Sequence, residues 1–470
     1  MMRASIVAEK IGIPSVTIVE TGFMRQALAI TKAYKADLPI AEYPGQIFTD
    51  PPEEFERKLR SVVTDAIVAA LSKPVTLHES TTAPYEPDKI VFRGSLAEVD
   101  DHFYENGWTE GLPIVPPTRE RIEAFLSWTD RDRNDVIAIL NPELREASVL
   151  NIAVNGVMAG CRPEYMPILI AAVECISDPD YRVEDAGSTP GWEPLIIVDG
   201  PIVEQLDFNT EAGAMRPGKR ANSSIGRFLN LYMRNVAGLR PSTTSKGTIG
   251  ANFNVALAEN MEACAQMGWK PMSADTRGFM EHENVVTVRS VVSVTGPTYT
   301  SGHTAERHVG ALAEFIGQST SAFWSMSTGL LRDKWSSLYV MSPRVANVIA
   351  KDGWSKRDVA QYIYEHCTIP MSVLERYSQG RTANSENWTF EEGVLRASMP
   401  EGSFESDDPD RPVRVNMSPD WIEIVVAGDP ARNQSRGYMG NHQQGFPVSR
   451  KVELPTGWAD RLHGQNAQPT

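Results

Sequence analysis

Short runs of β-branched and aliphatic residues recur along this chain: PSVTIVE at 14–20, PLIIVD at 194–199, VVTVRSVVSV at 285–294 and WIEIVVA at 421–427. Each is short and bounded by turn or polar residues, so each reads as buried strand rather than core helix, with VVTVRSVVSV either a strand pair or one long strand. Segments of helical period lie between them, and strands that alternate with helices give an α/β fold. The first 80 residues show the order most clearly. Ala4–Ile11 reads as helix, Pro14–Glu20 as strand, Met24–Ala36 as helix, Leu38–Glu42 as strand and Pro51–Leu71 as a long amphipathic helix. That is a parallel crossover pattern, but it starts with a helix and has only two strands. It reads as a truncated parallel α/β segment lacking its first βα unit.

A polar, turn-rich linker is expected over 81–94, beginning TTAPYEPDK. Residues 95–470 then form a larger mixed α/β domain, with a subdivision near 245 left open. Helices are expected at Ser95–Asn106, Thr118–Leu126, Ala147–Met158, Tyr165–Ile176, Ser223–Ala237 and Ser355–His366. A further helix at Ala305–Ile316 places Val309, Leu312, Phe315 and Ile316 on one face. Trp335–Met341 is strand-like. WIEIVVA reads as the last strand, followed by a Gly-rich loop, RGYMGNHQQG, at 436–445.

The 470 residues carry 41% apolar and 22% charged side chains, the composition of a globular protein of two or three domains at about 150 residues each. The net charge is −15 and no basic cluster is longer than Lys219-Arg220, which argues against nucleic acid or an anionic membrane as partner. No apolar run is long enough to span a bilayer. Cys161, Cys175, Cys264 and Cys367 are far apart, so no zinc ribbon or vicinal dithiol is encoded. So sparse a cysteine content, with no signal-peptide pattern before Ile11, fits a reducing, cytoplasmic setting. HExxH, GxSxG and GxxxxGK[ST] patterns are absent, which removes three common enzyme classes.

Cys161, in NGVMAGCRPEYMP, sits in a break between two helices. A helix N-terminus and the adjacent Arg162 both favour a thiolate, as a nucleophilic or metal-binding cysteine requires. The competing reading is a small apolar residue at a tight helix joint. Glu164 and Tyr165 follow within the same break. His303, in a Gly-containing loop, is the better acid/base candidate, and His308 reads as a satisfied helix residue. Lys219 and Arg220 precede a helix and offer an anion seat. Glu259, Asn260 and Glu262 cluster on one stretch, read as a solvated helix face or as paired carboxylates for proton transfer or metal binding, with Asn260 a substrate-binding candidate. His442 lies in the last Gly-rich stretch, where α/β ligand sites gather, although a surface loop is the simpler reading.

The blocks GWTEGLPIVPPTRERIEAFL, NIAVNGVMAGCRPEYMPILIAAVE, KDGWSKRDVAQYIYEH and WIEIVVAGDP together resemble a bacterial family named for a UGSC motif, selenocysteine or cysteine followed by Gly-Ser-Cys. The opening segment is similar to the later half of that family's N-terminal domain, which itself looks distantly like the substrate-specific subunits of glycine and proline reductases. The resemblance implies thiol-based redox or carbon–heteroatom chemistry on a small molecule. It also places the motif-bearing unit before residue 1, and no cysteine precedes Cys161. A late start codon, a partner subunit carrying the cysteine or selenocysteine motif, and loss of that chemistry are the three alternatives.

The expectation is therefore an enzyme or enzyme subunit acting on a small polar or anionic molecule. Cys161, His303, Glu164 and Tyr165 are the catalytic candidates, and Arg162, Lys219, Arg220, Asn260 and His442 the binding candidates. Two alternatives stand beside it: a metal-dependent lyase or hydrolase holding a transition metal through Cys161 and histidines, and a non-catalytic scaffold completing a partner. A homo- or hetero-oligomer is expected in either case, because an incomplete sheet leaves an open edge.

Overall fold

A computed structural model of the chain describes residues 2–47, 50–73, 75, 89–189, 191–250, 253–317, 336–373, 405–440 and 445–466. Its strands, in chain order, are β1 (Thr17–Glu20), β2 (Ile40–Tyr43), β3 (Val136–Leu140), β4 (Arg145–Ser148), β5 (Glu193–Asp199), β6 (Leu257–Ala258), β7 (Val285–Val291), β8 (Ser293–Val294), β9 (Thr298–Tyr299), β10 (Ser337–Met341), β11 (Thr368–Pro370), β12 (Pro412–Arg414), β13 (Ile422–Val426), β14 (Gln434–Met439) and β15 (Val448–Lys451). Two sheets dominate. The first has the order β15-β7-β5-β6, with β5 antiparallel to β7 and parallel to β6. The second has the order β13-β10-β14-β8, with β9 also paired to β14.

Side-chain alternation shows how the sheets are stacked. Along β5, Ile196 and Val198 pack among the helices Val149–Met158, Met166–Ser177 and Arg220–Tyr232, while Leu195 and Ile197 pack against Leu338 and Val425 of the second sheet. Along β10 and β13, Tyr339, Met341, Ile422, Ile424 and Val426 face the opposite way, toward helices Ala305–Leu312, Pro343–Lys351 and Lys356–His366. The larger part of the chain is thus four layers: helices, sheet, sheet, helices. Both faces of each sheet are covered, which explains why the strand sequences read as continuous apolar runs.

The layers, and not residue 245, divide this region. β7 and β15 complete the sheet begun by β5, so the stretch after 245 cannot be separated from the stretch before it. VVTVRSVVSV proves to be two strands in two sheets. After β7 the Val292 N–H donates to the Met439 carbonyl at 2.9 Å, and β8 pairs with β14.

Three sequence expectations are corrected. WIEIVVA is not the last strand, because β14 and β15 follow it. Arg436–Met439 is strand rather than loop. Gly437 is needed there because a Cβ would lie 2.2 Å from Ile316 Cγ2, so this glycine marks close packing and not a turn. Phe315 is exposed, because the helix Ala305–Leu312 passes into a π turn at Ala313–Gly317 that shifts its phase, leaving Val309, Leu312 and Ile316 buried. The hairpin β3–β4 carried no expectation at all.

The N-terminal unit has the parallel pair read from the sequence, with Thr17 opposite Ile40 and Glu20 opposite Tyr43. Its long helix runs from Pro52 to Leu71 with a π turn at Leu59–Val63. The unit docks through the Arg3–Asp185 ion pair, a Tyr34 Oη hydrogen bond to Asn141 Oδ1 (2.7 Å) and a Lys246 Nζ hydrogen bond to the Gly22 carbonyl (2.7 Å). Residues 81–88 of the expected linker lie outside the described residues.

Helix Arg220–Tyr232 is tied to the strand region by Asn222, whose Nδ2 donates to the Ala256 carbonyl at 2.9 Å. One turn on, a Cβ at Gly226 would lie 2.4 Å from the Val255 backbone nitrogen. Helix propensity alone makes Gly226→Ala stabilising by about 1 kcal/mol. Overpacking against rigid backbone outweighs that, so the substitution should lower unfolding free energy by about 1–3 kcal/mol in urea titrations. An unchanged or higher midpoint would show that the helix has room to move.

Candidate functional site

The break between helices Val149–Met158 and Met166–Ser177 is a built corner. Gly160 takes φ +80, the Cys161 N–H returns to the Gly156 carbonyl at 3.0 Å, and Pro163–Tyr165 makes one 3-10 turn. Cys161, Glu164 and Tyr165 are buried there. Arg162 is about half exposed and reaches Glu164 Oε1 at 3.6 Å. Helix Arg220–Tyr232 supplies the opposite wall. Arg220, Ser224 and Arg227 recur at helical spacing on one face, where Ser224 Oγ donates to the Arg220 carbonyl at 2.7 Å and the positive charges of both arginines act on the Cys161 thiol. The loop GWTEGLPIVPPT closes the third side. Arg227 Nη2 donates to the Pro113 carbonyl at 2.8 Å, Arg227 pairs with Glu110, and the Val115 N–H donates to the Met158 carbonyl at 3.3 Å. Two blocks far apart in sequence, GLPIVPPT and NGVMAGCRPEYMP, are thereby brought together.

The electrostatics depart from the sequence expectation. Burial pushes the Cys161 thiol up to about 12, and the Ser224 hydroxyl and the charges of Arg227 and Arg220 only partly offset it. Desolvation wins over the helix end and Arg162, because Arg162 is exposed and turned toward Glu164. At neutral pH the group is a thiol. Burial likewise raises Tyr165 to about 12, with the Glu164 charge adding to the shift.

The other candidates are placed elsewhere. His303 is exposed at the start of helix Ala305–Leu312, in the helix layer over the second sheet, whereas Cys161 lies in the layer over the first. It is not a partner of the thiol. His308 is a satisfied structural residue, with Nδ1 2.6 Å from Thr300 Oγ1 and Nε2 3.3 Å from the Gly302 carbonyl. Lys219 is adjacent to Arg220 but is turned to Asp207 at 2.7 Å. Asn260 is a helix cap rather than a ligand: its side chain accepts the Ala263 N–H at 2.9 Å. His442 lies outside the described residues.

A second polar cluster surrounds Glu259 and Asp199. Glu259, read either as part of a solvated face or as one of a carboxylate pair, is fully buried and accepts from Lys356 Nζ (2.6 Å), the Val426 N–H (2.9 Å) and the Met272 N–H (2.7 Å). Asp199, at the end of β5, accepts from Ser273 Oγ at 2.7 Å and from its N–H at 3.1 Å. The available signal was the carboxylate closing PLIIVD, since the C-terminal ends of parallel strands are where α/β sites gather. Among the described residues no group of three or more His, Cys, Asp or Glu side chains is arranged to hold a metal ion.

A large cleft separates the N-terminal unit from the larger part of the chain. Its volume is about 2220 Å3, and its lining includes Arg25 and Lys32 on one side and Arg119, Asn155 and Met158 on the other. Cys161 is not among the lining residues.

Asp199 offers a pH test. Burial, then the Glu259 charge, raise its carboxyl from the usual 3.8 to about 7, while the Ser273 hydrogen bonds pull it back. Between those values the folded chain binds the extra proton, so its stability falls as pH rises. Asp199→Asn removes that loss. Its stability relative to wild type should therefore increase by about 2–4 kcal/mol from about pH 4 to about pH 8. A difference that stays flat with pH would mean that Asp199 does not titrate in this window.

No family model, no curated protein and no solved structure matches the chain.

Proposed function

We propose that the chain is an enzyme, or a subunit of one, that acts on a small organic anion at the Cys161 corner. One observation carries this reading: separate segments deliver a thiol, a buried carboxylate, a phenol and three guanidinium groups to one place, on a chain whose net charge is −15. Arg220 is the anion-binding group, because a guanidinium fork matches carboxylate and phosphate geometry, while Arg162 and Arg227, paired with Glu164 and Glu110, add positive charge beside it. Cys161 is the reactive group. With a thiol raised to about 12, reaction needs proton removal in the bound complex, and Glu164 is the carboxylate beside it. Tyr165, also protonated at neutral pH, is suited to donate a hydrogen bond to a leaving group or a developing oxyanion. The reaction class is thiol-dependent redox or carbon–heteroatom bond chemistry, the class that the UGSC-family resemblance also implies.

The test is a screen of small organic acids, read by mass spectrometry, with wild type, Cys161→Ser and Arg220→Gln in parallel. An acid consumed by wild type, untouched by Cys161→Ser and turned over by Arg220→Gln with a KM raised about tenfold fits the assignment. A Cys161→Ser protein that consumes it at the wild-type rate removes the thiol from the mechanism. Independently of any substrate, alkylation of Cys161 by iodoacetamide should be slow at neutral pH and should rise about tenfold per pH unit with no plateau near the ordinary thiol range of about 8.5. Fast labelling at pH 7 would overturn the assignment of a protonated, buried thiol.

A further inference from the structure

We infer that the cleft between the N-terminal unit and the larger part of the chain binds an amphipathic organic anion: an aliphatic or polycyclic body bearing a carboxylate, sulfonate or phosphate group. The site is distinct from the Cys161 corner and does not rest on the function proposed there. Three observations support it. The first is size and composition. The cleft measures about 2220 Å3, more than twice the roughly 1,000 Å3 upper end of ordinary ligand pockets. Phe103, Trp108, Ile122, Val154 and Val236 contribute to its apolar lining. Leu28, Ile90, Val91 and Phe92 line it as well and are exposed to water. Apolar side chains left wet inside a concave surface favour an apolar occupant.

The second observation is charge. Among the described residues, nine arginines and lysines line the cleft against two glutamates, Glu143 and Glu146, on a chain with a net charge of −15. Such concentration of one sign in a concave, partly apolar wall focuses the field on an entering anion. The third is that part of this charge is uncommitted. Glu143 is already paired with Arg240 and Arg145, and Arg121 donates to the Pro116 carbonyl. The side chains of Arg25, Lys32 and Arg93 make no ion pair or hydrogen bond among the described residues. Arg25 and Lys32 belong to helix Met24–Ala33 of the N-terminal unit, and Arg93 to the segment leading into helix Leu96–Glu105. An anion bridging them would engage both parts of the chain, and neutral apolar ligands would gain nothing from the three cations.

The experiment is a fluorescence titration of the full chain with two dyes of the same aromatic body, anilinonaphthalene sulfonate and its uncharged parent N-phenylnaphthylamine. Wild type should bind the sulfonate saturably at one site, more weakly as salt is raised. The triple variant Arg25→Gln, Lys32→Gln, Arg93→Gln should lose about tenfold in sulfonate affinity while the neutral dye changes less than about twofold. The charge-keeping set Arg25→Lys, Lys32→Arg, Arg93→Lys should restore it. Leu28→Asp should weaken both dyes. Lys10→Gln with Lys351→Gln, away from the cleft, and Cys161→Ser should leave both unchanged. All altered cleft side chains are exposed, and circular dichroism with thermal melting checks that each variant is folded. Equal sulfonate affinity in wild type and the triple glutamine variant overturns the inference, as does multi-site, non-saturating binding by wild type.

Discussion

The Glu259 carboxylate joins the two halves of the molecule. It follows β6 of the first sheet, yet its partners are the Val426 N–H of β13 in the second sheet, Lys356 Nζ from the outer helix of the second half, and the Met272 N–H between them. Taking a carboxylate out of water costs several kcal/mol, and only a charge partner with further hydrogen bonds offsets that. All of these are present at Glu259. Its geometry therefore constrains where the second sheet and its helix layer can sit over the first. A slip of one residue along β13 would leave a buried charge short of a donor.

A second ion pair lies in the same middle layer. Arg289 of β7 and Glu423 of β13 are fully buried and meet at 2.9 Å, with Arg277 also on Glu423 and the Arg289 Nη2 donating to the Ser336 carbonyl at 2.9 Å. Around them Leu195, Ile197, Leu257, Val291, Leu338 and Val425 are apolar. Apolar contact between two sheets is tolerant of sliding, whereas charges held by geometry are not. The strand that leaves the first sheet as β7 and enters the second as β8 makes the same demand covalently. Stacking, register and connectivity are thus set by a handful of polar residues in a mostly apolar interface.

This distribution explains which parts were legible in the sequence. Strands covered on both faces are continuous β-branched runs, so β1, β5, β7 and β13 were readable, as were helices with explicit caps such as Ser95 with Glu98 and Ser355 with Asp358. β14 was hidden because Gly437 serves packing against Ile316, and local reading takes glycine as a turn. Glu259 and Lys356 were hidden because a charge in a mixed segment looks solvated until a tertiary partner is known. Cys161, Arg162, Glu164 and Tyr165 are neighbours in the sequence, and Arg220 joins them in space. Ser224, Arg227 and Glu110 carried no sequence signal, since their role depends on how one helix and one loop meet. The expected activation of Cys161 failed on magnitude: a helix end and one exposed arginine contribute less than full burial removes.

The corner and the cleft share their walls. Helix Val149–Met158 presents Asn155 and Met158 to the cleft and leads directly into Gly160 and Cys161. The loop after Trp108 does the same in reverse: Ile114, Val115, Pro116 and Thr118 line the cleft, while Glu110 and the Pro113 carbonyl hold Arg227 against the thiol corner. Its three prolines, Pro113, Pro116 and Pro117, stiffen the partition between the two. Both faces concentrate positive charge on an acidic chain, so each disfavours the compact state by self-repulsion unless acids answer it. Glu110, Glu143 and Glu164 are the acids so placed, and each is already engaged with an arginine. The positive charge left over, on Arg25, Lys32 and Arg93 in the cleft and on Arg220 at the corner, is what the fold does not need for itself.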